Sequence, residues 1–151
     1  MVVGVMKHYI VIHHSLTADG KTVNWQAIRR YHVIERGWDD IGYHYGIEKV
    51  GDTYEILLGR LPDQHGAHCK ELGMNTFGYG ICLVGNFDEA PPPAEQVDIA
   101  VGLVRYLMRQ DAISVDHVLG HGEVQKLAGY DQVKSCPGVM FSMNRFRSFL
   151  Q

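Results

Sequence analysis

Several features that would fix a function class at once are missing from this chain. Cysteine is scarce, with three residues at positions 69, 82 and 136. An odd number of that kind makes no disulfide framework, and free thiols suit synthesis in a reducing compartment. Positive charge is never massed: 14 Lys and Arg stand scattered against 17 Asp and Glu, for a net charge of -3 and a pI near 6.3. That balance excludes a nucleic-acid binder that works by neutralising phosphates. Long hydrophobic runs are absent too. The apolar stretch leading to Ile12 is interrupted by Lys7 and His8 and has no basic segment ahead of it, so neither a signal peptide nor a membrane span is expected. Synthesis in the cytoplasm, with any export by another route, follows as an expectation. No internal repeat, low-complexity tract, CxxC or HExxH signature occurs.

What the chain does have is enough apolar material for one core, 46% of 151 residues, and a single domain over residues 1–151 is expected. Its chemistry gathers near the C-terminal end, where His121-Gly122-Glu123 runs on to Lys134-Ser135-Cys136-Pro137-Gly138. Imidazole and thiolate are ready zinc ligands, and a catalytic zinc keeps three protein ligands with a fourth position open. The third ligand is sought in Tyr9-Ile10-Val11-Ile12-His13-His14-Ser15, a run of strand formers that ends on two histidines. His13, His121 and Cys136 then make a two-histidine, one-cysteine site.

In chain order, the first strand is followed by a polar loop over Ser15 to Val23. Asn24 caps a helix to about Arg36, with Trp25, Ile28, Tyr31 and Ile34 on one face and Gly37 as its stop. A turn-rich link over 38–42 leads to strands at 43–49 and 53–58, a hairpin turning at Gly51-Asp52. Residues 59–78 lose hydrophobic periodicity while His65, His68 and Cys69 accumulate, as on the rim of a site. Tyr79 to Gly85 reads as a buried central strand, in which Cys82 is core rather than chemistry. An amphipathic helix opens at Ala94, a short strand covers Val115 to Leu119, and a closing helix follows Pro137. The order predicts an α/β domain with a mixed central sheet flanked by helices, its site at strand ends near His13, Tyr43 and His121.

Read together, Ile12-His13-His14-Ser15, Gly37-Trp38-Asp39-Asp40-Ile41-Gly42-Tyr43-His44, Gly66-Ala67-His68 to Asn75, Gly80-Ile81-Cys82-Leu83-Val84-Gly85 and Gly120-His121 to Cys136-Pro137-Gly138 resemble, in order, the motifs of zinc N-acetylmuramoyl-L-alanine amidases. That family includes amidase-type lysozymes of bacteriophages and the peptidoglycan recognition proteins. The resemblance implies Zn2+ on His13, His121 and Cys136, with His13 rather than His14 as the ligand and Tyr43 and Lys134 in catalytic positions. Tyr43, Lys134 or Glu123 could shuttle the proton. It further implies Trp38, His68 and Asn75 along the substrate groove, peptidoglycan muropeptide as the partner, and a monomer that acts on the cell wall as a phage or prophage endolysin. The competing expectation is a non-catalytic peptidoglycan-binding module on the same fold, which typically lacks the cysteine ligand. The interval from His121 to Cys136, 15 residues, exceeds the family's usual spacing. Gln125 to Gln132 therefore reads as an inserted loop bulging outward.

Overall fold

The computed structural model describes residues 4–16 and 24–151; of the predicted loop over Ser15 to Val23, residues 17–23 lie outside them. Five strands form one mixed sheet in the order β3-β2-β4-β1-β5: β1 Tyr9–His14, β2 Tyr45–Val50, β3 Thr53–Leu58, β4 Gly78–Leu83 and β5 Val118–Gly120. β1 lies parallel to β4 and β5, β2 is parallel to β4, and β2–β3 is the expected antiparallel hairpin. Among the described residues, five α-helices flank it: α1 Trp25–Arg30, α2 Met74–Phe77, α3 Ala94–Asp111, α4 His121–Leu127 and α5 Met143–Ser148. None of these helices is long and apolar enough to cross a membrane.

The two-residue period of a strand divides β1 between two cores. Ile10 and Ile12 pack with Tyr79, Ile81 and Leu83 of β4 and with Ala100, Val104, Leu107 and Phe146 of α3 and α5. Val11 points the other way, against Cys69, Met74 and Val124. His13 follows Val11 on that second face, at the C-terminal end of the strand, and His14 turns back to accept a hydrogen bond from the Phe87 N–H at Nδ1 (3.1 Å).

Some elements depart from expectation. Asn24 does cap α1, its Oδ1 accepting from the Ala27 N–H at 2.9 Å, but regular helix ends at Arg30. Over Tyr31–Glu35 the turn widens, with the Arg36 N–H bonded to the carbonyl five residues back. The extra residue rotates the expected face, and Tyr31 and Ile34 end up exposed while Trp25 is buried. Residues 59–78 carry short helical turns at Glu71–Gly73 and Met74–Phe77 rather than one long loop. β5 starts later than expected, at Val118. The His121 segment, read as irregular, opens a helix whose first-turn Glu123 accepts from the Gly120 N–H (2.9 Å). Three of the residues expected to form an outward loop, 125–127, belong to that helix.

Candidate metal centre and groove

The three expected ligands meet. The ligand atoms of His13, His121 and Cys136 all lie within 4.8 Å of one another, with Cys136 Sγ 3.7 Å from His13 Nδ1 and the two imidazole centroids 4.9 Å apart. Tetrahedral zinc, with bonds of about 2.0 Å to nitrogen and 2.3 Å to sulfur, separates such atoms by roughly 3.5 Å. The donor set and its spacing fit the ion. β1 supplies His13, the first residue of α4 supplies His121, and the segment after α4 supplies Cys136. Gly122 lets that segment close over the helix, its N–H donating to the Cys136 carbonyl at 2.9 Å.

Each imidazole is committed at one nitrogen. His68 donates from Nε2 to the Gly78 carbonyl (3.0 Å), so its Nδ1 is the acceptor for the Nε2–H of His13, also 3.0 Å away. That chain fixes the tautomer of His13 and leaves its Nδ1 lone pair for the site. There is room for it because β4 has Gly80 opposite, where a Cβ would fall 2.5 Å from His68 Cγ. Burial, then the neighbouring imidazoles, hold His13 well below its ordinary pKa. Burial likewise lowers His121, with Glu71 opposing, so both rings are neutral, as ligands must be. The Cys136 thiol is pushed up to about 12 by burial, against a hydrogen bond from the His14 backbone and the charge of Lys134.

The ligands form the floor of an open groove of about 550 Å³, whose walls include Tyr31, Trp38, Tyr43, Asp88 and Lys134. Tyr43 packs its ring 5.2 Å from that of His13, and burial, then the Cys82 and Cys136 thiols, raise its pKa well above normal, so it stays a phenol. Lys134 is exposed at the edge, its backbone N–H held by Gln125 Oε1 (2.7 Å). Trp38 stands on the wall with the Arg36 guanidinium 5.1 Å from its ring centre. His68 reaches the groove only from behind His13, both ring nitrogens taken. Asn75 is not among the groove residues: its Oδ1 accepts from the N–H groups of His68 and Cys69 (2.7 and 2.8 Å) and sets the turn that carries them. Glu123, one of the three proton-shuttle alternatives, forms a two-pronged pair with Arg147 of α5 at 2.8 and 2.9 Å. Cys82 is fully buried in the sheet, as expected.

Residues 5–139 match the sequence profile of N-acetylmuramoyl-L-alanine amidase. The chain belongs to the N-acetylmuramoyl-L-alanine amidase family. Among relatives, it is 30% identical over 138 residues to peptidoglycan-recognition protein LB of Drosophila melanogaster, covering 86% of this chain and 54% of that protein. It is 38% identical over 84 residues to the endolysin of Klebsiella phage KP32, 56% of this chain and 52% of that one. It therefore spans about half the length of either. The solved N-acetylmuramoyl-L-alanine amidase LysC of Clostridium intestinale superposes with a TM-score of 0.80 at 30% identity, covering 97% of this chain and 86% of that one. The amidase family thus contains catalytic and recognition proteins on this fold, and the side chains in the groove bear on which kind this chain is.

Proposed function

We propose that this chain is a zinc-dependent N-acetylmuramoyl-L-alanine amidase that hydrolyses the amide between the lactyl group of N-acetylmuramic acid and L-alanine in peptidoglycan, in the role of a phage or prophage endolysin. The observation that carries this reading is the convergence of His13, His121 and Cys136 on the floor of an open groove. A module that only binds wall fragments has no need of the cysteine. His13, His121 and Cys136 would hold the zinc, which would supply a Lewis acid for the carbonyl and lower the pKa of a water molecule to about 7.

The chain's own residues supply the rest. Tyr43, kept as a neutral phenol, and the Lys134 ammonium stand on the walls around the ligand cluster and donate hydrogen bonds to the oxygen that becomes negative as the carbonyl carbon turns tetrahedral. A water oxygen bonds to the carbonyl carbon, the carbon–nitrogen bond then breaks, both protons of that water end on the alanine nitrogen, which leaves as an ammonium, and the lactyl carboxylate remains. Tyr43 is the favoured proton donor, since Glu123 is engaged by Arg147. Trp38 and Tyr31 offer flat apolar walls to the glycan and stem peptide. His68 and Asn75 act beneath the groove, one holding His13 and the other holding the turn that bears His68.

The test is release of free N-terminal L-alanine from purified peptidoglycan together with metal content. Wild-type protein should hold about one zinc per chain and release alanine, and Cys136→Ser should lose both. Full zinc occupancy and wild-type turnover in Cys136→Ser would refute the site assignment, and binding of peptidoglycan without alanine release by the zinc-loaded wild type would establish the recognition module instead.

A further inference from the structure

Behind His121, on the side away from the groove, a second buried polar cluster occurs that the reaction does not use directly. Cys69, Glu71 and His121 bring ligand atoms within 4.8 Å of one another, but the Glu71 carboxylate is already saturated with donors. His121 lies with Nε2 3.3 Å from Oε2, Gln125 donates from Nε2 to Oε1 at 3.1 Å, and the Cys69 thiol donates to Oε2 at 3.2 Å.

The local sequence makes little sense for packing alone. Glu71 is 8% exposed while its neighbour Leu72 is 53% exposed, the reverse of what burial favours. The inversion is produced by two successive left-handed residues, Leu72 at φ 54° and Gly73 at φ 72°, a conformation that costs a leucine about 1 kcal/mol or more. Gln125 is equally out of place in an outward loop. It sits one helical turn after His121 on α4, on the same face, and is 4% exposed. Its other amide atom, Oε1, accepts from the Lys134 N–H.

We propose that Glu71 and Gln125 are positioning residues for the metal centre: Glu71 fixes the His121 ring with Nε2–H toward the carboxylate and Nδ1 toward His13 and Cys136, and Gln125 ties that carboxylate to the backbone of Lys134. The inference rests on the zinc reading above and deepens it. His13 is held through His68 and His121 through Glu71, so both histidine ligands present Nδ1 while a buried partner holds Nε2. Outer partners of this kind typically change metal affinity by about 10- to 100-fold. The arrangement also places ligand orientation and the placement of the Lys134 ammonium under one network.

The experiment measures zinc affinity by chelator competition and the visible spectrum of the cobalt-substituted protein in wild type, Glu71→Ala, Glu71→Gln and the exchange variant Glu71→Gln/Gln125→Glu, at a temperature where circular dichroism shows each to be folded. Glu71→Ala should bind zinc roughly 10- to 100-fold more weakly and alter the cobalt spectrum. Glu71→Gln has one acceptor oxygen for three donors and should fall between. The exchange variant places the amide at position 71, where it accepts from His121, and the carboxylate at position 125, where it receives the amide N–H, so affinity should return to within a few-fold of wild type. If Glu71→Ala fails to fold, the isosteric Glu71→Gln and its rescue carry the comparison. Wild-type affinity and spectrum in the folded Glu71 variants, or an exchange variant no better than Glu71→Gln, would overturn the positioning role while leaving the zinc reading intact. A wild-type protein that binds no zinc would overturn the zinc reading itself and this role with it.

Discussion

Acidifying the metal-free protein probes how its buried imidazoles are held. His44 is fully buried, accepting from the Gly80 N–H at Nδ1 (3.0 Å) and donating from Nε2 to the Gln64 carbonyl (2.9 Å). Burial lowers its pKa to about 4, and burial with the charge of His44 lowers His68 to about 3. Unfolded, each titrates near 6.5. Because the folded values are depressed, the unfolded chain binds more protons below about pH 6.5, and stability falls as the pH is lowered from there toward 4. Between pH 7 and pH 5 the loss is about 2 kcal/mol for each histidine, about 4 kcal/mol for the pair. His13, depressed as well, adds in the same direction. Carboxylates contribute little until the pH nears about 4.5, so the window belongs to the histidines. Against a typical domain stability of about 5–15 kcal/mol, the effect is large. Urea unfolding followed by circular dichroism at pH 7, 6 and 5, with chelator present, measures it. Stability at pH 5 equal to that at pH 7 within about 1 kcal/mol would mean that these rings are not buried as neutral hydrogen-bonded groups, and the tautomer chain from His13 through His68 would fall with them.

Two further outcomes are expected. Tyr43→Phe and Lys134→Ala should fold and keep zinc while kcat on peptidoglycan drops by roughly two to three orders of magnitude with little change in KM; loss of zinc from either would make that residue structural, and unchanged kcat would make it a bystander. Gly80→Ala should drive a methyl into the His68 ring, lowering stability by about 1–3 kcal/mol and weakening zinc binding through His13, and a Tm and zinc affinity equal to wild type would show that His68 does not depend on the space Gly80 leaves.

The sheet, the hairpin, the long helix and the meeting of His13, His121 and Cys136 were legible because each rests on a pattern of its own: a β-branched run in Tyr9–His14, a Gly-Asp turn at 51–52, the apolar stripe of α3, and histidines or a cysteine beside turns. What stayed hidden depended on local backbone geometry. The widened turn at Tyr31–Glu35 shifts the face of α1, and helical periodicity cannot register one added residue. Asn75 reads as a polar loop residue whether its amide meets ligand or backbone. Glu71 looks like a surface carboxylate until Leu72 and Gly73 turn left-handed. The i, i+4 spacing of His121 and Gln125 was the available signal for a shared helical face, and an outward bulge over 125–132 hides it.

The three proposed ligands are anchored with unequal firmness. His13 sits on β1, which lies between β4 and β5, and is itself paired with Cys82 of β4, so its backbone moves only with the sheet. Cys136 belongs to a stretch over residues 129–138 that carries no strand or helix, much of it exposed. A local opening confined to that stretch would free the sulfur and the Lys134 backbone together and leave both histidines in place. Under the zinc reading, the rate at which the centre would trade its ion is therefore a property of ten residues of coil, and the two histidines beneath would remain assembled to receive the next one.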